Sequence, residues 1–195
     1  MGEDYVPFLA VNLSLSGVVV VTPHKMVDAR GEFAETYRAD SFREFGITTA
    51  FVQDNQALSR LAGTIRGLHF QQPPHAQAKL VRVLSGAIFD VAVDVREGSP
   101  TFGQWVSAKL DAKSGAQIFV PRGFAHGYCT MTDDTIVAYK CDAFYAQEAE
   151  AGIHFADPDL AISWPVAPGS AIVSDKDRAL PKLTAVEGST LPAIS

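Results

Sequence analysis

Short apolar runs broken by Gly, Pro, Asp and Ser recur along the chain, the pattern of β-strands joined by tight turns. Such runs fall at residues 18–22, 32–37, 49–55, 63–71, 79–95, 104–110, 117–121, 125–131 and 135–142. Inside the longest, Ser85-Gly86 separates Leu-Val-Arg-Val-Leu from Ala-Ile-Phe-Asp-Val-Ala-Val, which predicts a hairpin. Helix is a minor component. Residues 40–45 form one candidate, with Asp40 or Ser41 as cap and Gly46 as stop; about one turn near residues 158–162 is ended by Trp164-Pro165. Many short strands with regular turns predict a mainly β sandwich or barrel with a few short helices. No repeat, low-complexity tract or linker divides the chain, so residues 1–195 are expected to form a single domain, with a patternless tail that frays from about residue 184.

Composition narrows the partners. At 195 residues, 47% hydrophobic and 19% charged, the chain can bury a substantial core in one domain. A formal net charge of −6 argues against nucleic acid or a membrane surface as partner, so an anionic ligand must be met by local Arg and Lys. Cys129 and Cys141 are the only cysteines, which excludes a disulfide scaffold and a four-thiolate zinc site, leaves one bridge open and fits a reducing cytoplasm. The start carries no export signal, and Val18-Val-Val-Val21 is far too short to span a bilayer.

Candidate chemistry begins at Pro121-Arg-Gly-Phe-Ala-His126, whose P-x-G-x-x-H spacing resembles the second motif of the cupin superfamily, where the histidine points into a small jelly-roll barrel. In the first cupin motif two histidines, H-x-H, precede a glutamate and a glycine. Here the matching stretch is Pro73-Pro-His75-Ala-Gln-Ala-Lys79, running on to Gly86, with Pro73 for the first histidine and Lys79 for the glutamate. An ammonium repels a cation from the place a carboxylate would hold it, so the barrel is expected to lack metal. The competing reading is a metal-dependent cupin using His69, His75 and His126; the ordinary reading of His75 is a hydrogen-bonded loop histidine.

A regular strand over residues 63–71 puts Arg66 and His69 on opposite faces. If both serve one site, Gly67 must mark a bulge, a twist or the strand's start. Lys79 opens a strongly apolar strand, an awkward position for an ammonium without a partner or ligand. Tyr139 and Tyr145, taken alone, read as half-buried strand aromatics.

Taken together, Asp28-Ala-Arg-Gly-Glu-Phe-Ala-Glu35, Phe51-Val-Gln-Asp-Asn55, Arg66-Gly-Leu-His-Phe-Gln71, Gln77-Ala-Lys-Leu-Val-Arg82, Pro121-Arg-Gly-Phe-Ala-His-Gly127 and Ser174-Asp-Lys-Asp177 resemble the dTDP-4-dehydrorhamnose 3,5-epimerase family, over about residues 15–183. The resemblance implies a cupin-type jelly-roll barrel and an enzyme that inverts C3 and C5 of dTDP-4-dehydro-6-deoxy-D-glucose through an enolate. Such chemistry needs a base, an acid on the far face and enolate stabilisation. The resemblance makes His69 the base, Asp177 its supporting partner, Tyr139 the acid and Lys79 the group at the enolate oxygen. It carries Arg30, Glu35, Gln53, Asn55, Arg66, His126, Glu150 and Lys176 into substrate contact, and Tyr145 into stacking on the thymine. It implies no metal and no other cofactor. It also implies a homodimer in which exchanged strands let Arg30 or Glu35 act across the interface. Small departures are Phe70, where the family often has tyrosine, and Ala143-Phe144 before Tyr145. An epimerase of C3 or C5 alone and a sugar-binding cupin without catalysis are the alternatives; the joint presence of His69, Tyr139 and Asp177 speaks against the latter.

Overall fold

The computed structural model describes residues 6–186 and is dominated by antiparallel strands. In chain order the elements are β1 (Phe8–Asn12), β2 (Val19–Pro23), β3 (Met26–Asp28), β4 (Gly31–Phe33), α1 (Ala39–Glu44), β5 (Gln53–Ser59), β6 (Ile65–Gln71), β7 (Lys79–Ser85), β8 (Ala87–Asp94), β9 (Trp105–Asp111), β10 (Gln117–Val120), β11 (Phe124–Thr130), β12 (Thr135–Cys141), β13 (Glu150–Gly152) and α2 (Asp175–Arg178). Two sheets face each other: a six-stranded one in the order β1-β2-β10-β7-β12-β5, and a five-stranded one in the order β13-β6-β11-β8-β9. The strands β3 and β4 form a separate two-stranded ribbon. This is the expected mainly β jelly roll.

Three apolar layers hold it together. Val81, Val83, Ile118 and Val137 from the large sheet meet Ile88, Ala92, Val106 and Leu110 from the small one, which fills the space between the sheets. The outer face of the small sheet, with Leu68, Phe70, Val91 and Val93, is covered by Ile153, Leu160, Leu183 and Val186. On the outer face of the large sheet, Phe8, Val19, Val21 and Leu80 pack against Phe42 and Ile47 around α1. Central strands are therefore buried on both faces, which is why β8 reads as a nearly continuous apolar run instead of an alternation. Each fully buried Val, Leu or Ile contributes roughly 1.5–3 kcal/mol relative to exposure.

The structure corrects several local expectations. Ser85-Gly86 is not a hairpin turn, because β7 lies in the large sheet and β8 in the small one, so the turn carries the chain across the barrel. Gly86 has φ +81, and a Cβ there would strike the Thr132 and Thr135 hydroxyls, so the crossing is as tight as a hairpin and uses the same residue types. No helix forms at residues 158–162: one hydrogen bond from Ala161 N to Asp157 O closes a single turn before Ala161 adopts φ +46. In α1 the cap position is Arg38, without a side-chain cap; Asp40 instead accepts from Arg38 Nε at 2.7 Å and from the Ser41 N–H at 2.9 Å. Of the run at 32–37 only Glu32 and Phe33 pair, and Tyr37 turns its ring onto Phe42 and Phe51. That at 49–55 becomes a strand only from Gln53 and continues to Ser59. Strands β1, β3 and β13 and helix α2 had no counterpart in the apolar pattern. Residues 184–186 do not fray, because Leu183 and Val186 belong to the core; the rest of the expected tail lies outside the described residues.

Candidate active site

The site begins with a fault in the pairing of β6 and β11. His69 is opposite His126 and Arg66 is opposite Tyr128, so two residues on β6, Gly67 and Leu68, face Gly127 alone. That β-bulge removes the expected opposition of faces: Arg66 and His69 line one cleft. Glycine is required on both sides of it. Gly67 has φ +123, and a Cβ there would lie 2.7 Å from Gly127 Cα and 2.7 Å from His126 O; a Cβ on Gly127 would lie 2.8 Å from Arg66 O.

The cleft runs into the barrel as two adjoining lobes that share His69, Lys79 and Tyr139. One lobe, of about 270 Å³, is also lined by Gln53, Asn55, Tyr145 and Glu150. The other, of about 290 Å³, adds Arg66, His126, Lys176 and Asp177. His69 stands on the small sheet, while Lys79 and Tyr139 stand on the large one, so the cleft has an imidazole and a phenol on opposed walls.

His69 Nε2 is 2.8 Å from Asp177 Oδ1. Burial pushes the Asp177 carboxyl up, but hydrogen bonds from His69, the Gly67 N–H and Ser174, with the His69 charge, more than offset this and lower its pKa. An ionised carboxylate only accepts, so Nε2 carries the proton and Nδ1 keeps the lone pair. Asp177 sits in α2, where Ser174 Oγ accepts from the Asp177 N–H at 3.1 Å and caps the helix.

Lys79 Nζ lies 3.4 Å from His69 O. It keeps some exposure to the cleft, yet burial dominates and pushes its pKa down, against the pull of Cys141, Asp90 and Glu150. Burial likewise raises the Tyr139 phenol, which is therefore protonated at neutral pH. His126 is engaged by Asp90, whose carboxylate oxygens are 2.9 and 3.0 Å from Nε2; burial raises the Asp90 pKa, opposed by His126 and Lys79. At the mouth, Glu150 Oε2 accepts from the Tyr145 hydroxyl at 2.7 Å and Lys176 Nζ at 2.6 Å, while Gln53 Oε1 accepts from the Tyr145 N–H at 3.0 Å. The Tyr145 ring remains half exposed.

Two expected residues lie elsewhere. Arg30 is on the β3–β4 ribbon, with its side chain 90% exposed and paired to Asp28 at 2.5 Å, and it lines a recess made only of ribbon residues. Glu35 follows the ribbon and lines neither lobe. His75 also stands outside the cleft, 3.9 Å from Glu148 on the surface. Among the described residues no three of His, Cys, Asp and Glu converge as metal ligands. Cys129 and Cys141 are buried free thiols, so the bridge left open by the sequence does not form.

Several site residues escaped the sequence. Asp90 had a signal, a lone carboxylate inside Ala-Ile-Phe-Asp-Val-Ala-Val. Gln71 and Gln77 hold the segment carrying Tyr145 by bonding the backbone at Ala146 and Ala143, and Tyr128 lines the second lobe; none of these stands out from ordinary strand residues.

The class that fold and cleft define is a cupin-like jelly roll whose barrel holds a histidine–carboxylate pair, a tyrosine and a lysine in one cleft. The chain belongs to the dTDP-4-dehydrorhamnose 3,5-epimerase family: the family model of that description matches residues 12–185. A dTDP-4-dehydrorhamnose 3,5-epimerase from Sinorhizobium fredii is 48% identical over 172 residues, 88% of each chain. The Bacillus anthracis dTDP-4-dehydrorhamnose 3,5-epimerase, solved with TDP and PPi bound, is 46% identical with a TM-score of 0.87, the match covering 90% of this chain and 99% of that one. The Legionella pneumophila dTDP-6-deoxy-D-glucose-3,5-epimerase, solved with dTDP-4-keto-L-rhamnose, is 41% identical with a TM-score of 0.90, covering 96% and 99%.

Proposed function

We infer that this enzyme converts dTDP-4-dehydro-6-deoxy-D-glucose to dTDP-4-dehydro-L-rhamnose by inverting C3 and C5. Support comes from the family match and from one observation above all: a carboxylate-supported histidine faces a protonated tyrosine across a cleft that also holds a buried lysine. In our reading His69 Nδ1 removes the proton beside the C4 ketone, and the electron pair moves onto the ketone oxygen as an enolate. Lys79 faces that oxygen; a donor with a lowered pKa bonds a developing oxyanion more strongly. Tyr139 returns a proton to the opposite face, and solvent restores both groups before the second carbon reacts. Asp177 holds the His69 tautomer and stabilises its imidazolium form.

For the rest of the ligand we assign Arg66 and Lys176 to the diphosphate, with Tyr145 stacking on the thymine beside Gln53, Asn55 and Glu150; His126 bonds the sugar. We assign Arg30 and Glu35 to the cleft of a second subunit in a homodimer, because within one chain they lie away from it. Residues 1–195 are taken as one catalytic domain. Cytoplasmic residence accords with two buried free thiols. Among the described residues no helix is long and apolar enough to cross a membrane.

The direct test is incubation with dTDP-4-dehydro-6-deoxyglucose in heavy water, followed by mass spectrometry and proton NMR. Deuterium is expected at both C3 and C5 with inversion; label at one carbon makes this a single-site epimerase, and none removes the assignment.

A further inference from the structure

We propose that the Tyr128 hydroxyl is a substrate-recognition group that donates a hydrogen bond to an oxygen of the 4-keto-sugar at the floor of the cleft. The inference rests on the epimerase reading above. Among the described residues, Tyr128 Oη is the buried side-chain polar atom left without a hydrogen-bond partner, although the residue is only 5% exposed. Leaving such a group unpaired costs stability of the same order as a lost hydrogen bond, and sites that bind polar ligands are where the cost is tolerated.

Its placement says what would satisfy it. Tyr128 and His126 alternate along β11 and point to the same inner face, with ring centroids 6.4 Å apart. The cleft wall next to Tyr128 also carries Arg66, His69, Lys79, Tyr139 and Asp177. Ser59 Oγ is close enough to lower the phenol's pKa a little, but it accepts from Arg66 Nε at 3.2 Å and makes no hydrogen bond of proper geometry with Tyr128. Burial pushes the Tyr128 pKa up to about 12, so the hydroxyl is neutral and presents a proton.

Depth then separates sugar from nucleotide. Arg66 and Lys176 are exposed, and the Tyr145 ring is half exposed, so the charged and stacking parts of the ligand belong at the mouth. Tyr128 and His126 are nearly closed off beneath them. The uncharged sugar, whose carbons must reach His69 and Tyr139, is the part of the ligand that comes within reach of Tyr128.

The test compares wild type with Tyr128→Phe, which removes the hydroxyl and keeps the ring. The Tm of the ligand-free variant is expected to equal or exceed that of wild type, because no protein partner is lost. Affinity for dTDP alone, measured calorimetrically, stays unchanged, since dTDP lacks the 4-keto-hexose that Tyr128 is proposed to contact. KM for dTDP-4-dehydro-6-deoxyglucose rises roughly three- to tenfold, the value of one hydrogen bond. An unchanged KM, a fall in dTDP affinity matching the rise in KM, or a lowered Tm each overturns the proposal. A wild type that exchanges no deuterium into this sugar overturns the epimerase reading and this inference together; an active wild type with an indifferent variant overturns this inference alone.

Discussion

At Asp177 two opposing forces can be weighed at one carboxylate. Burial raises its pKa toward the neutral acid, which could offer His69 a proton; hydrogen bonds from His69, Gly67 and Ser174 reverse the direction and leave an acceptor. That fixes which imidazole nitrogen is free to act. Tyr139 has the contrary setting, with burial raising a phenol that already holds its proton. We expect His69→Ala and Tyr139→Phe each to lower kcat by about 10²- to 10⁴-fold, the usual worth of a positioned acid or base, with dTDP affinity nearly unchanged. Steady-state kinetics beside titration calorimetry would check this, and normal turnover in either variant would remove the role assigned to it. Lys79 stood out as a cleft candidate from sequence because an ammonium at the head of an apolar strand demands an explanation, and the structure places it in the cleft. Tyr128 was not, because a tyrosine in a strand needs none until its hydroxyl is found unpaired.

At the level of elements, the bulge between β6 and β11 decides the site. Period-two alternation sends Arg66 and His69 apart, and one unmatched residue on β6 brings them into the same cleft. Gly67 marked the place in the sequence, but the register of β11 against it was a tertiary matter. Gly67→Ala is expected to destabilise the protein by about 2 kcal/mol or more, since the methyl meets backbone atoms that cannot rotate away at a φ that disfavours side chains. Urea denaturation would measure the loss, and turnover should fall further than stability because both Arg66 and His69 are re-aimed. Wild-type stability would mean that the two backbones can separate at this point. The Ser85-Gly86 turn teaches the complementary lesson: its residues specify a sharp reversal, whereas which sheet receives the next strand depends on partners distant in the chain.

For the whole molecule, the main question is what the β3–β4 ribbon does. It projects Val27 at 77% and Phe33 at 66% exposure together with Arg30, while the edge strand β1 exposes Leu9 and Val11. Apolar side chains on a ribbon and an edge strand suit pairing with a second copy. If Arg30 serves the partner's cleft, mixing an Arg30→Ala chain with a His69→Ala chain should restore activity, because each hybrid dimer regains one cleft with both groups intact. Random exchange of equal amounts gives about a quarter of wild-type activity, from half the dimers carrying one good site of two. Light scattering should report a dimer throughout. No recovery in a mixture shown to exchange subunits would return Arg30 to a local role.

The sequence alone determined the strand-rich class, most strand positions, the lysine in place of a metal-binding carboxylate and most of the polar residues that line the cleft, because these follow from local period, turn chemistry and residue types in a recognisable order. Tertiary structure decided the rest: which sheet each strand joins, the bulge that aligns Arg66 with His69, the burial of Asp90 and Tyr128, and the separation of Arg30 from its own chain's cleft. The physical reason is the same each time. Register, burial and hydrogen-bond satisfaction are properties of pairs of segments far apart in the chain, and no window of sequence contains both members of such a pair.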